Sequence, residues 1–415
     1  MKKSPYKGPN VNVILIHQAF VSPDEAGGTR HYELGRQLTR YGHHFVIVAS
    51  GTSYLSGKQF ENHNKLVSEQ NMDGVHVMRV STPSCLHSGK LGRIIALLCF
   101  MASSIYGGLR AGRVDLVMGT SPPIFQAVSA WALAYIRRVP FLLEIRDLWP
   151  AFLIDMRLLK NPVLIGVFRW IERFLYSRAN HIIVNSPAYR DYLLEKGIPN
   201  DKISFIPNGV DPSMFDSAAD GAEIRREFDL DERFVVCYAG ALGLANDIPT
   251  LLRAARRLKH RRDIHFLLVG DGIDRCNLQT KAKEFGLVNV TFAGARPKTQ
   301  MSKFLAAADV CVAILKNIPM FRTTYPNKVF DYMASGRPTI LAIDGVIRDV
   351  IETAQGGIFV EPGDDAALAA AVCRLADNRE EAHTVGAAAR RYVIENFNRQ
   401  DQAVAFRDLI VRLSL

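Results

Sequence analysis

The sequence predicts an α/β protein of two doubly wound, Rossmann-like domains facing a central cleft. Three observations carry that expectation. Short apolar runs recur along the chain, segments of helical spacing fall between them, and a turn-rich break at Pro207-Asn-Gly-Val-Asp211 is followed by the same alternation starting again. Strands covered on both faces read as continuous apolar runs, which is the mark of a parallel sheet. In such sheets ligands bind outside the strand C-termini.

In chain order, residues 11–17, 45–50, 75–80, 114–119, 141–145, 181–185 and 203–206 form the first set of strands. Helices are expected at residues 29–41, 91–110 and 124–138. The second set of strands runs over residues 235–239, 265–269, 290–292, 310–314, 339–342 and 357–360. A last helix, residues 400–413, fits either domain by pattern alone. The expected domains are residues 1–209 with 399–415, and residues 210–398.

The 415 residues, 48% hydrophobic and 22% charged, suffice for two or three cores. Six cysteines lie far apart with no CxxC or Cys/His cluster, as in a reducing compartment. The N-terminal residues 1–7 are basic, but the apolar run after them is too short for a signal h-region. No run is expected to reach the ~20 apolar residues of a membrane span. The expectation is a soluble or peripheral protein.

The net charge of +10 is uneven, with 24 Lys+Arg against 15 Asp+Glu through Asp211 and 27 against 26 beyond it. A basic first half argues for an anionic surface facing it. Nucleic acid is disfavoured because the bases are scattered and no recognition motif accompanies them. A membrane surface fits better. Residues 94–109, flanked by Lys90, Arg93, Arg110 and Arg113, read either as a core helix or as an interfacial helix beside anionic lipid.

The strongest candidate site is Phe321-Arg-Thr-Thr-Tyr-Pro-Asn-Lys-Val-Phe-Asp-Tyr-Met-Ala-Ser-Gly-Arg-Pro338. Pro326 and Asn327 open a short helix that stops at Ser335-Gly336. Helix-tip amides near Asn327, the cation of Lys328 and the carboxylate of Asp331 one turn on suit the phosphates and ribose of a nucleoside diphosphate. A solvated Lys–Asp pair on an amphipathic helix fits the same residues.

Ala26-Gly27-Gly28-Thr29-Arg30-His31 joins the first strand to the first helix. Gly27 and Gly28 allow close backbone approach to a ligand, and Thr29 is placed to cap. An ordinary turn with an exposed Arg30–His31 pair remains open. Arg146 and Asp147 end the strand of Phe141-Leu-Leu-Glu-Ile-Arg-Asp-Leu-Trp-Pro150, where Asp147 could polarise a hydroxyl and Arg146 meet a phosphate. A structural ion pair is the alternative. Tyr238-Ala-Gly240-Ala-Leu-Gly243-Leu-Ala-Asn-Asp247 is glycine-rich after a strand but lacks the GxGxxG spacing of a dinucleotide site. Asp229-Leu-Asp231 has DxD form in a charged surface turn and reads as solvated.

Taken in order, Ile206-Pro-Asn-Gly-Val-Asp211, Leu268-Val-Gly-Asp-Gly272, Val290-Thr-Phe-Ala-Gly294 and the Pro326–Pro338 stretch resemble glycosyltransferase family 4, retaining enzymes of GT-B fold. Glu144-Ile-Arg-Asp-Leu-Trp-Pro150 is similar to the WbuB-like branch, which assembles bacterial O-antigen and capsule sugars. The resemblance implies that the last helix crosses back to the N-terminal domain and that Asp331 holds the ribose as the second acid of an E-x7-E motif. The first acid of that motif falls at Thr323, and the family's histidine after the fifth strand falls at Arg146. The Arg/Lys pair that clamps the pyrophosphate in the family has no match in the Gly240–Asp247 loop.

Together these readings predict a sugar transfer from a nucleotide donor, with retention, to a hydroxyl on a polyprenyl-diphosphate-linked glycan. Lys328, Arg146 and Asp147 are the expected catalytic residues. Gly27, Gly28, Gly240, Gly243, Asn327, Lys328 and Asp331 are expected on the donor, and Arg30 and His31 on the acceptor side. The resemblance implies UDP as the nucleotide, with an N-acetylated deoxyhexosamine such as N-acetyl-L-fucosamine as the sugar. No metal or other cofactor is expected. Work at the inner face of the cytoplasmic membrane follows from the acceptor. A GT-B epimerase and a non-catalytic binder of anionic lipid or polymer are the competing classes.

Overall fold

The computed structural model describes residues 8–52, 59, 66–83, 89–215 and 220–415. The basic residues 1–7 and Cys85 lie outside this set. The chain divides into two compact units, one of residues 1–22, 29–207 and 400–415, the other of residues 23–28 and 208–399.

The first unit runs β1 (Asn12–Ile16), α1 (Arg30–Arg40), β2 (His44–Ser50), β3 (Val67–Met72), β4 (Val75–Val80), α2 (Gly89–Arg110), β5 (Leu116–Ser121), α3 (Ile124–Arg137), β6 (Phe141–Ile145), α4 (Ala151–Asp155), α5 (Pro162–Arg178), β7 (His181–Val184), α6 (Pro187–Glu195) and β8 (Ile203–Phe205). Its sheet has the order β3-β4-β2-β1-β5-β6-β7-β8. All pairs are parallel except β3 with β4. The apolar runs became these buried strands because helices cover them. β3 escaped the sequence reading because its Ser68-Glu-Gln-Asn71 core is polar, as an edge strand needs no apolar run.

In the second unit, α7 (Ala222–Glu227) precedes β9 (Phe234–Ala239), α8 (Ile248–Arg257), β10 (Ile264–Val269), α9 (Arg275–Glu284), β11 (Val290–Gly294), α10 (Met301–Ala306), β12 (Val310–Ile314), α11 (Asn327–Ala334), β13 (Thr339–Ala342), α12 (Val346–Ala354), β14 (Gly357–Phe359), α13 (Asp365–Asp377) and α14 (Arg379–Asn396). The strand order is β11-β10-β9-β12-β13-β14, all parallel. The two orders reverse between β1 and β5 and between β9 and β12, and a doubly wound sheet offers its ligand crevice at that reversal.

The last helix, α15 (Arg399–Ser414), lays Ala403, Phe406, Leu409 and Ile410 into the first unit's core, where Phe406 meets Phe45 edge-on at 6.5 Å. One sequence expectation needs correction. Gly92–Arg110 of α2 is long and apolar enough to cross a membrane by length and composition. Here it lies along the sheet, with Gly107 and Gly108 so close to Val80 and Leu133 that an added Cβ would stand 2.6 and 2.3 Å from their side chains.

Candidate active site

The second unit's candidate site forms where the sheet order reverses. Pro326, in extended conformation, starts α11, and Gly336 at φ 68° follows its end. Tyr332 clamps the helix to β9: its hydroxyl donates to Ala239 O at 2.9 Å and accepts from Ala239 N at 2.9 Å. No side chain caps the N-terminus of α11, where Val329 N turns back to Pro326 O at 3.1 Å, and an uncapped helix N-terminus suits an anion.

That anchoring sets the place of Lys328. Its Nζ donates to Tyr238 OH at 3.0 Å and to Asn246 Oδ1 at 2.8 Å, and lies 4.5 Å from the Tyr238 ring centre. No carboxylate is among these partners, and burial lowers the Lys328 ammonium from 10.5 to about 7. Sequence spacing by itself does not single out Asn246 or Tyr238. The preceding strand end and glycine loop were the available signal.

Gly240 sits against this lysine, since an added Cβ would be 2.9 Å from Lys328 Nζ. Gly240, expected on the donor, does not offer its own amide there: Gly240 N donates to Val269 O and Leu242 N to Asp271 O, both at 2.9 Å. Gly240 supplies room for the lysine instead. Gly243 lies on the open side of the loop, where an added Cβ meets nothing within 4 Å.

Residues 23–28 group with this unit, not with the strand they follow. Lys298 N donates to Glu25 O at 3.1 Å and Thr299 N to Pro23 O at 3.3 Å. Gly27, at φ 146°, uses backbone space that favours glycine. A Cβ on Gly28 would stand 3.5 Å from Asn327 Nδ2. The structure therefore gathers Gly28, Asn327, Lys328 and Gly240 around one helix tip.

Asp331 meets a partner the sequence did not reveal. Its Oδ2 accepts from Lys298 Nζ at 2.5 Å, and Lys298 also lies 5.0 Å from the Phe215 ring centre. Lys298 follows the end of β11, a strand-edge position that would have flagged it. Thr323, in the place of the missing first acid, spends its hydroxyl on Met320 O at 2.7 Å. Asp229 and Asp231 are exposed, and no metal-holding cluster occurs among the described residues.

In the first unit, Arg146 and Asp147 follow β6 and are half-buried. The Arg146 Nε donates to Thr120 Oγ1 at 3.0 Å, and its Nη2 to His17 Nε2 at 3.2 Å. Because guanidinium only donates, this bond orients a chain. His17 then carries its proton on Nδ1 and donates to His31 Nδ1 at 3.0 Å, and His31 Nε2 donates to Glu144 Oε2 at 2.5 Å. Burial lowers both imidazoles, His17 further under the Arg146 charge, while Glu144 pulls His31 the other way. Burial works against the Glu144 carboxylate, but the His31 and Arg30 contacts outweigh it and hold the carboxyl well below its usual range.

Arg30 and His31 are thus not the exposed pair of an ordinary turn. They are 4 and 3% exposed. Arg30 donates from Nε to Glu144 at 2.9 Å, from Nη1 to Pro207 O at 2.6 Å and from Nη2 to Ile206 O at 2.8 Å. Buried this deeply, they spend their side chains on Glu144 and on the backbone carbonyls of Ile206 and Pro207. Thr29 stands at the N-cap position of α1, but its hydroxyl donates to Glu33 Oε1 and accepts from no backbone amide of the helix. Asp147 stands apart from the Glu144 network, with Oδ1 3.5 Å from the Tyr189 hydroxyl. Burial pushes its carboxyl up to about 6 against the pull of Arg146 and Tyr189.

Residues 26–209 match the glycosyl transferase 4-like domain, and residues 233–378 match the glycosyl transferases group 1 domain. WcaI of Escherichia coli K12, named as a colanic acid biosynthesis glycosyl transferase, is 23% identical over 86% of this chain and 91% of its own. A GDP-mannose-dependent alpha-mannosyltransferase of Mycolicibacterium smegmatis is 30% identical over 54% of each chain. HepE of Anabaena, solved in complex with UDP and glucose, superposes with a TM-score of 0.73 at 16% identity, covering 97% of this chain and 99% of its own. The chain is therefore a GT-B glycosyltransferase that takes sugar from a nucleotide donor, a glycosyl transferase 4-like domain followed by a group 1 glycosyl transferase domain.

Proposed function

We propose that this enzyme moves a sugar, with retention of anomeric configuration, from a UDP-linked donor to a hydroxyl of a polyprenyl-diphosphate-linked glycan. The observation that carries the donor reading is Lys328, a buried lysine at an uncapped helix tip whose hydrogen-bond partners, Tyr238 and Asn246, include no carboxylate. A diphosphate at that tip favours the ammonium form and is met by the helix amides as well.

The hard step is departure of the nucleoside diphosphate from an oxocarbenium-like sugar. Lys328, the amides around Asn327 and the backbone at Gly27–Gly28 offset charge growing on the leaving phosphate. Gly240 keeps the lysine's place open and Gly243 lines the loop's accessible side. Asp331, held by Lys298, takes the ribose hydroxyls. With a lysine and helix amides serving the phosphates, the reading calls for no divalent metal.

On the first unit, Asp147 aligns the acceptor hydroxyl and Arg146 meets an acceptor or donor phosphate. Arg30 and His31 act there through Glu144 and His17. The acceptor lipid places the enzyme on the cytoplasmic face of the membrane, in surface-polysaccharide synthesis of the WbuB-like type. WcaI's name supports that setting. An N-acetylated deoxyhexosamine such as N-acetyl-L-fucosamine is the sugar we propose first.

A thermal-shift panel of UDP, GDP, ADP and dTDP tests the donor, because a ligand of the folded state raises its melting temperature. UDP is expected to give the largest rise. A larger rise with GDP would favour a second reading, a GDP-sugar donor, which the mannosyltransferase relative's name supports. No rise with any nucleotide would remove the donor site.

A further inference from the structure

In the first unit, α3 packs between α2 and α5, and the outer side of this three-helix layer is apolar. Leu98, Tyr135, Val163 and Trp170 are 58, 75, 72 and 60% exposed. On α5, Val163, Val167 and Trp170 recur at three- and four-residue spacing, so they share one helix face. The Asn161 side chain caps this helix by accepting from Val163 N at 2.9 Å and Leu164 N at 3.1 Å, so the apolar turn is built, not frayed.

An aromatic ladder crosses from α3 to α5. Tyr135 stacks on Trp131 at 6.0 Å, Trp131 meets Phe174 edge-on at 4.7 Å, and Phe174 stacks on Trp170 at 5.6 Å. Tryptophan and tyrosine with one wet and one apolar side are suited to the headgroup level of a bilayer.

Charge names the occupant. The sequences of α2, α3 and α5 hold seven Lys and Arg residues and one acid, Glu172. That acid faces inward, fully buried, accepting from Tyr176, Tyr192 and Lys196. Arg93, Arg110, Arg169 and Arg173 are exposed. The layer's outward charge is therefore of one sign, set around an apolar centre. A second copy docked by a two-fold axis would set arginines against arginines, which is repulsive.

We infer that the outer face of the α2–α3–α5 layer docks on an anionic lipid bilayer, with the Tyr135–Trp131–Phe174–Trp170 ladder at headgroup depth and the arginines against lipid phosphates. The inference rests on the membrane setting proposed above and deepens it, since it extends the contact from α2 alone to a surface of three helices. Apolar burial and basic attraction are two signals, and together they hold a protein reversibly.

Co-sedimentation of the full chain with vesicles tests this, using phosphatidylcholine alone and phosphatidylcholine mixed with phosphatidylglycerol. The chain is expected to sediment with the mixed vesicles and to be released by salt. Removing the charge of Arg169 or Arg173 by Gln should weaken partitioning about fivefold each. Tyr135→Ser with Trp170→Ser should weaken it about tenfold or more. Each variant is checked for an unchanged melting temperature and an unchanged UDP-induced rise, which reports the donor site separately. A wild-type chain left in the supernatant overturns the inference and the membrane setting together. Wild-type binding that all these variants retain overturns the surface alone. A dimer seen by light scattering without vesicles and lost in the same variants gives the face to a second copy.

Discussion

The lysine at the tip of α11 makes a prediction that is unusual for a phosphate site. Burial lowers Lys328 from 10.5 to about 7, and no carboxylate among the described residues restores it. At about 1.4 kcal/mol per pKa unit, the shift amounts to several kcal/mol. At pH 8 the free enzyme then holds this amine roughly nine-tenths neutral, by the ordinary titration of a group one unit below the pH. A diphosphate within reach favours the ammonium, so UDP binding at pH 8 takes up close to one proton. The second ionisation of UDP's terminal phosphate, at about 6 for a phosphate group, is already complete there. Calorimetry of UDP binding at pH 8 in two buffers of different ionisation heat measures the uptake. We expect about one proton at pH 8, much less at pH 6, and a UDP Kd that rises up to about tenfold per pH unit above 7. Lys328→Gln should abolish the uptake, and Lys328→Ala should cut turnover far more than it changes folding. Binding heats identical in both buffers would refute the reasoning. The same shift has a stability sign. Between about 7 and the usual lysine range the unfolded chain binds more protons than the folded one, so stability from this group rises with pH. Lys328→Met should therefore raise the melting temperature most below pH 7.

Asp147 carries a raised pKa, about 6, so the folded state binds more protons than the unfolded one between its ordinary value and 6, and stability falls as pH rises through that window. Asp147→Asn should melt higher than wild type at pH 7 and, if the carboxylate acts on the acceptor, lose the limb of the turnover profile near pH 6. Asp331→Asn and Lys298→Met should each weaken UDP binding and cost about 2 kcal/mol, with the double variant well short of the sum, because they break one contact. A denaturant-melt cycle reads this, and full additivity would separate the two residues. Gly240→Ala should lower UDP affinity with modest loss of stability, since its Cβ meets the movable Lys328 Nζ at 2.9 Å. Gly270→Ala should fold poorly, since its Cβ would lie 1.9 Å from Gly240 O at a φ of 148°. Paired UDP titrations and melting curves distinguish the two effects.

The alternation of apolar runs with helical segments determined the architecture, because a strand buried on both faces leaves a continuous hydrophobic signature that side-chain partners do not alter. It located every parallel strand and also the α11 helix, whose proline entry and glycine exit are local backbone preferences. The polar edge strand β3 left no such signature. What the sequence could not decide was the company each charged side chain keeps. Asp331 and Lys298 are 33 residues apart, and Arg30 and Glu144 are 114 apart. Such pairs exist only after the sheet order brings distant strand ends together. The same closure fixed Lys328 on Tyr238 and Asn246, turned Arg30 and His31 inward, and occupied the Gly240 amide. Residue type and local spacing set where the chain bends and what it can bury. Which groups lose water, and therefore which protons and charges are free for chemistry, was decided by the tertiary fold.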